Sequence, residues 1–132
     1  MSLARRQNPI TDCPLTAASA AFGGKWKLII IYWLAESPRQ FGELRRLMDG
    51  VSQKVLSEQL RELMADGLVA RDQTGPVPSP VRYSLTSYGR SLVPIVETIR
   101  HWGRGHIERV GRTRRNLGPA TGSPAMSSRE PE

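Results

Sequence analysis

The sequence predicts a mainly α protein with one small β-hairpin, and three observations indicate this fold class. Apolar residues recur at helical spacing, most clearly at Leu56, Leu60 and Leu63. Two short strand-like runs, residues 68–72 and 81–85, flank the Gly- and Pro-rich segment QTGPVPSP, which is typical of a hairpin with a long tip. A length of 132 residues with 39% hydrophobic content allows one domain with a modest core.

The composition indicates which partners and which compartment suit the protein. Nineteen Lys and Arg against 12 Asp and Glu give a formal net charge of +7, which favours phosphate backbones or acidic surfaces as partners. A single cysteine, Cys13, cannot build a disulfide framework. The most apolar run, LIIIYWLA, is about eight residues long, whereas a membrane helix needs roughly 20, and the N-terminus lacks a signal-peptide pattern. We therefore expect a cytoplasmic protein with no membrane partner.

The first half of the chain predicts a flexible arm and then two helices. Residues 1–13 are expected to form the arm. After Pro14, the Ala-rich LTAASAAFGG predicts a short helix that stops at Gly23 and Gly24. A second helix, over residues 25–36, is apolar on nearly every face and should therefore lie in the core. Pro38 breaks the chain after it.

Two further helices follow. GELRRLMD, residues 42–49, predicts a short third helix. Ser52 stands at the N-cap position of a fourth helix, where its hydroxyl can accept hydrogen bonds from the first-turn amides. The leucine stripe extends this helix over residues 52–66, and Gly67 ends it.

The C-terminal part predicts one long helix and a tail. Thr86 should cap the helix, Pro94 should kink it, and Gly103 and Gly105 should weaken its end. Residues 111–132 are mainly Arg, Gly, Pro and Ser, so we expect a disordered tail. One domain, residues 14–110, remains between the arm and the tail.

A short helix, a turn of about three residues, a second helix and a hairpin follow one another in the order of a winged helix-turn-helix. In that architecture the second helix of the pair enters the DNA major groove, about 12 Å wide, and the first crosses the phosphate backbone. The polar face opposite the leucine stripe consists of Gln53, Lys54, Ser57, Glu58 and Arg61.

These residue types suit DNA recognition. Gln pairs with adenine, Lys and Arg with guanine or phosphates, and Ser with either kind of group. The candidate DNA-binding residues are Ser52, Gln53, Lys54, Ser57 and Arg61 on the helix, with Arg71 and Arg82 on the wing for phosphates or a narrow minor groove. Taken without the hairpin and the charge, the same helix face is equally compatible with simple solvation.

Three longer segments carry a family resemblance: CPLTAASAAFGGKWKLIIIYWL, RQFGELRRLMDGVSQKVLSEQLRELMADGLVAR and PVRYSLTSYGRSLVPIVETIRHWG. Over about residues 13–103 the chain resembles the HxlR-type transcriptional regulators, a branch of the MarR-like winged-helix proteins. The resemblance implies a homodimer, built through the N- and C-terminal helices, in which residues 14–110 both bind DNA and dimerise. Each subunit would present one recognition helix to a pseudo-palindromic double-stranded operator.

The resemblance also implies that the protein responds to a redox signal or to a small molecule. Family members that respond to quinones, aldehydes or oxidants carry a cysteine at the place of Cys13, which makes it a candidate redox sensor, with an incidental thiol as the open alternative. Trp26, Trp33 and Trp102 are a candidate effector pocket between the dimer helices, although packing is the favoured interpretation. His101 and His106 with Cys13 match no zinc spacing, so neither a metal nor a cofactor is expected.

The sequence therefore predicts a sequence-specific, double-stranded-DNA-binding transcriptional regulator, most often a repressor, that responds to a small molecule or a redox signal. The alternative is a winged-helix interaction module that docks on an acidic protein partner. Such a docking face should show exposed aromatic residues, and this one is polar. No enzyme is expected, because the chain offers no carboxylate pair, no nucleophile with a nearby base and no cofactor loop.

Overall fold

The mainly α class with one hairpin is confirmed. The computed structural model describes residues 13–73 and 80–117. The chain divides into two units, residues 1–96 and residues 97–132. The elements are α1 (Pro14–Phe22), α2 (Lys27–Glu36), α3 (Phe41–Leu47), α4 (Gln53–Ala65), β1 (Val69–Asp72), β2 (Arg82–Leu85), α5 (Ser87–Arg90) and α6 (Val93–Leu117).

Helix α2 lies in the middle of the core, as its apolar sequence predicts. Its residues Ile30, Ile31 and Leu34 are fully buried. The leucine stripe of α4 packs into the same cluster, and so do Leu44, Met48, Val51, Leu68, Val69, Leu85 and Val96. Because the stripe is buried, the opposite face of α4 must point outward.

Side-chain caps set where α3 and α4 begin. In α3, Gln40 and Glu43 form a capping box in which the backbone amide of Gln40 donates to Oε1 of Glu43 at 2.9 Å. In α4, the hydroxyl of Ser52 accepts from the backbone amide of Val55 at 3.0 Å, so the predicted cap is confirmed. Gly67, with φ of +75°, follows the end of α4 in the left-handed conformation that glycine adopts most readily.

The hairpin is antiparallel and close to its predicted limits. Val69 pairs with Leu85, and Asp72 pairs with Arg82. Residues 74–79, the greater part of the predicted tip, lie outside the described residues.

A third segment joins this sheet. The backbone of Arg39 pairs with that of Tyr83 through hydrogen bonds of 2.9 and 2.8 Å, which gives β2 a second neighbour. The side chain of Arg39 turns back to α2, where Nε donates to the carbonyl of Trp33 at 3.0 Å and Nη2 pairs with Glu36. The wing is thereby linked to the end of the central helix.

The last helical region differs from its prediction, because it contains two helices. Thr86 does cap the first, α5, since its hydroxyl accepts from the amide of Gly89 at 2.8 Å. A side chain at Gly89 would lie 2.0 Å from the carbonyl oxygen of Leu68, so glycine is required where α5 meets β1. The chain then turns, and α6 begins at Val93. Pro94 is the second residue of α6, where no helical amide is needed, so the predicted kink was wrong.

Helix α6 also extends further than the sequence indicates. It continues through Gly103 and Gly105 to Leu117, so the expected disorder is wrong for residues 111–117. Arginine is a good helix former, and Glu108 pairs with Arg112 one turn later, which explains the extension. The remaining tail, residues 118–132, and the arm up to residue 12 lie outside the described residues. Across the described ranges, no helix is long and apolar enough to span a bilayer.

Candidate DNA-binding surface

The outward side of α4 carries the predicted DNA-contacting side chains. Gln53, Lys54, Ser57 and Arg61, called here the reading face, are all exposed. Glu58, which the sequence placed with them, is half-buried. Ser52 is exposed too, but its hydroxyl is already engaged in capping the helix. The reading face thus presents donors and acceptors of the kind that bind base edges.

An ion pair between buried Lys27 and exposed Glu62 links α4 to the central helix. Nζ of Lys27 lies 2.7 Å from Oε1 of Glu62, and the side chains are 8% and 57% exposed. The hydrogen bond from Lys27, together with its charge, lowers the pKa of Glu62 below its ordinary value of 4.5. Burying an ammonium without a partner would be costly. The pair was not found from the sequence, because the two residues are far apart in the chain.

The turn between α3 and α4 is held by an arginine. Nε of Arg45 donates to the carbonyl oxygen of Val51 at 3.3 Å, and Gly50 adopts a φ of +89°. Arg45 and Arg46 are exposed on α3, the helix expected to cross the phosphate backbone. Neither residue was among those predicted to bind DNA, although adjacent arginines on the first helix of such a pair are a usable signal.

The wing arginines lie on opposite strands of the hairpin. Arg71 is on β1 opposite Tyr83, and Arg82 is on β2 opposite Asp72. Both arginines are exposed. They stand at the end of the hairpin that leads to the tip, a suitable place for phosphate contacts.

Cys13 stands immediately before α1 and is exposed. A hydrogen bond from the Thr16 side chain, followed by backbone hydrogen bonds from Thr16 and Leu15, lowers the pKa of the thiol from its ordinary value of 9.0. These donors are the free amides and the hydroxyl of the first helical turn, which favour the thiolate.

The three tryptophans of the candidate effector pocket differ in their surroundings. Trp26 and Trp33 are partly buried against the core of the first unit, which is the packing role that the sequence favoured. Lys25 lies 4.7 Å above the Trp26 ring. Trp102 belongs to the second unit, is 66% exposed and stacks on His106 with ring centroids 4.8 Å apart. The effector pocket itself stays a prediction.

No cluster of three or more His, Cys, Asp or Glu side chains suited to a metal ion occurs in the described residues. His101 and His106 both line a shallow surface depression on α6 beside Trp102 and Arg109.

Comparison with known proteins decides the family. The family model described as HxlR-like helix-turn-helix matches residues 21–111. The chain belongs to this family. The predicted resemblance is thereby confirmed over most of its length.

Individual HxlR-like relatives agree with the assignment. The chain is 43% identical over 94 residues to the HTH-type transcriptional regulator YybR of Bacillus subtilis (strain 168), covering 71% of this chain and 75% of YybR. Its structure resembles that of the redox regulator HypR in reduced form, with a TM-score of 0.70, 39% identity and coverage of 75% and 98%. It also resembles reduced YodB from B. subtilis, with a TM-score of 0.61, 32% identity and coverage of 68% and 89%.

Proposed function

We propose that this HxlR-like protein is a cytoplasmic transcriptional regulator, in most settings a repressor, that binds a pseudo-palindromic operator as a homodimer. Helix α4 of each subunit contacts base edges in the major groove, and the wing arginines Arg71 and Arg82 contact phosphates. The relatives named as transcriptional regulators support this function.

One observation carries the proposal. The leucine stripe of α4 is buried while the reading face on its other side is exposed, and the helix starts at a fixed cap. The capping box fixes the start of α3, and the ion pair of Lys27 with Glu62 ties α4 to α2. The hydrogen bond from Arg45 to the carbonyl oxygen of Val51 spans the turn between α3 and α4, and a helix that enters a groove needs such support.

Exposed apolar side chains support the homodimer. Leu15 on α1 is 80% exposed, and on α6 Trp102 and Ile107 are 66% and 74% exposed. Large apolar residues on a surface indicate contact with another protein. In dimers of helix-turn-helix proteins, the two recognition helices bind half-sites one helical turn of DNA apart, or multiples of it.

Cys13 is the proposed sensor. Oxidation or alkylation of its thiolate would occur at the first turn of α1, one of the helices proposed to build the dimer. The relative HypR is a redox regulator by its title, which supports a redox response here. Hydrogen peroxide, which oxidises a thiolate to a sulfenate and is itself reduced to water, should weaken operator binding by the wild type, whereas Cys13→Ser should keep its affinity.

The first test is binding to the upstream DNA of the protein's own gene against a scrambled duplex across a salt series. We expect a preference of roughly a thousandfold for the upstream DNA. The logarithm of the affinity should fall linearly with the logarithm of the salt concentration, by about 0.9 per phosphate contact.

Variants separate base reading from phosphate contact. Gln53→Ala and Arg61→Ala should relax the preference between the two duplexes, by about 1–3 kcal/mol for a good base contact. Arg82→Ala should weaken both duplexes about equally, and the matched control Arg104→Ala should change neither. Equal and weak binding of both duplexes by the wild type would contradict the proposal and point to a protein partner.

A further inference from the structure

A groove of about 450 Å³ lies at the C-terminal end of α4, and all of its lining residues belong to the first unit. Small apolar side chains form most of its wall: Ala17, Ala20, Ala21, Ala65 and Leu68. Tyr88, 66% exposed, also lines it. A volume of this size lies within the roughly 300–1,000 Å³ typical of small-molecule sites.

The polar lining of the groove has an excess of negative charge. Its charged side chains are Lys27, Glu62 and Asp66. The ammonium of Lys27 is already neutralised by Glu62 at 2.7 Å. The carboxylate of Asp66 is therefore left over. The groove is thus locally acidic in a chain whose formal net charge is +7.

The end of helix α4 adds to the negative potential of the groove. Glu62 and Asp66 are four residues apart, so they lie on the same face of α4 one turn from each other. Asp66 is the C-cap, and the carbonyl groups at the end of a helix carry partial negative charge that favours cations. The ring of Tyr88, which lines the same groove, is a further element that can attract a cation.

We propose that this groove binds a small organic cation, an amine or quaternary ammonium compound with an apolar body. The charged head lies at Asp66, and the apolar body covers the alanine wall and the Tyr88 ring. The proposal does not rest on DNA binding, because the groove is formed without the reading face and its occupancy is measured without DNA.

The test uses three probes that share one ring and differ in charge. Benzylamine is a cation at pH 7, benzyl alcohol is neutral and benzoate is an anion. Each is titrated into the full-length protein by isothermal titration calorimetry and by amide chemical shifts in NMR. We expect benzylamine to bind more tightly than either control, with its shifts concentrated at α1, the end of α4 and Tyr88. Preference for benzoate, equal binding of all three, or shifts located elsewhere would overturn the proposal.

Paired variants locate the charge and the ring. Asp66→Asn should weaken benzylamine binding by about fivefold, whereas Asp49→Asn, the same charge change at an exposed site outside the groove, should leave it unchanged. Tyr88→Leu should weaken binding and Tyr88→Phe should preserve it. Equal effects of the two aspartate variants would mean that only the overall charge of the chain matters, and the site would be rejected. Circular dichroism verifies that each variant is folded.

Discussion

Cys13 owes its chemistry to where a single residue falls relative to a helix start. Its thiol accepts a hydrogen bond from the hydroxyl of Thr16 and from the first-turn amides, which lowers its pKa. Thr16→Val keeps the shape of the side chain but removes the largest of these contributions. We expect slower alkylation of Cys13 by iodoacetamide at pH 7.5, measured by mass spectrometry. Ser19→Ala, on the same helix, should alkylate at the wild-type rate, and an unchanged rate in Thr16→Val would refute the role of the hydroxyl.

The ion pair of Lys27 and Glu62 should make stability depend on pH. Because the folded pKa of Glu62 lies below the ordinary value of 4.5, the carboxylate stabilises the fold above about that pH. This contribution is lost as the pH falls through the folded pKa. Urea unfolding between pH 3 and 7 should therefore show Glu62→Gln less stable than wild type near neutral pH, with the gap closing in acid.

A double-mutant cycle isolates the pair in this measurement. In a Lys27→Met background, the change Glu62→Gln should no longer alter the pH profile of stability. A gap that persists there would mean that Glu62 acts through some other partner.

Two serines have different roles in α4: Ser52 caps the start of the helix, and Ser57 faces outward from its middle. Ser52→Ala should cost about 1 kcal/mol of unfolding free energy, because the amide of Val55 loses its acceptor. Ser57→Ala, in the exposed middle of the helix, should leave stability within about 0.5 kcal/mol of wild type. Both values come from urea denaturation. Equal losses of unfolding free energy in the two variants would show that the cap adds no stability beyond that of an exposed serine.

Local signals explain why most elements could be predicted from the sequence. The leucine stripe, the caps at Ser52 and Thr86, and the glycine at position 67 each act within one turn of their own helix. They located α4 to within a residue at either end. The exposure of the reading face followed from the same periodicity.

The features that the sequence did not reveal are contacts between distant segments. The strand pairing of Arg39 with Tyr83 and the ion pair of Lys27 with Glu62 join residues far apart in the chain. Pro94 was misplaced because a proline that starts a helix and one that kinks it look alike without the preceding turn. The length of α6 was underestimated because the arginines after Val110 suit a helix as well as a tail.

The exposed ring of Trp102 allows the most direct test of how two molecules form the proposed dimer. Its large apolar surface is typical of interface residues that carry much of the binding energy. If α6 builds the proposed dimer, Trp102→Ala should raise the dimer dissociation constant by roughly thirtyfold, which corresponds to about 2 kcal/mol. Analytical ultracentrifugation over a concentration series measures this constant. Arg104→Ala is the control, and a wild-type constant in Trp102→Ala would exclude the ring from the interface.

The strand pairing at Arg39 has a further consequence for solubility. On the side of β2 away from β1, the backbone of Tyr83 is already paired with that of Arg39, so a strand from another molecule could not pair with β2 at this residue. On β1, exposed Arg71 and Asp72 occupy the strand. Charged side chains at that position oppose edge-to-edge aggregation. The exposed hairpin is in this way protected against edge-to-edge strand pairing.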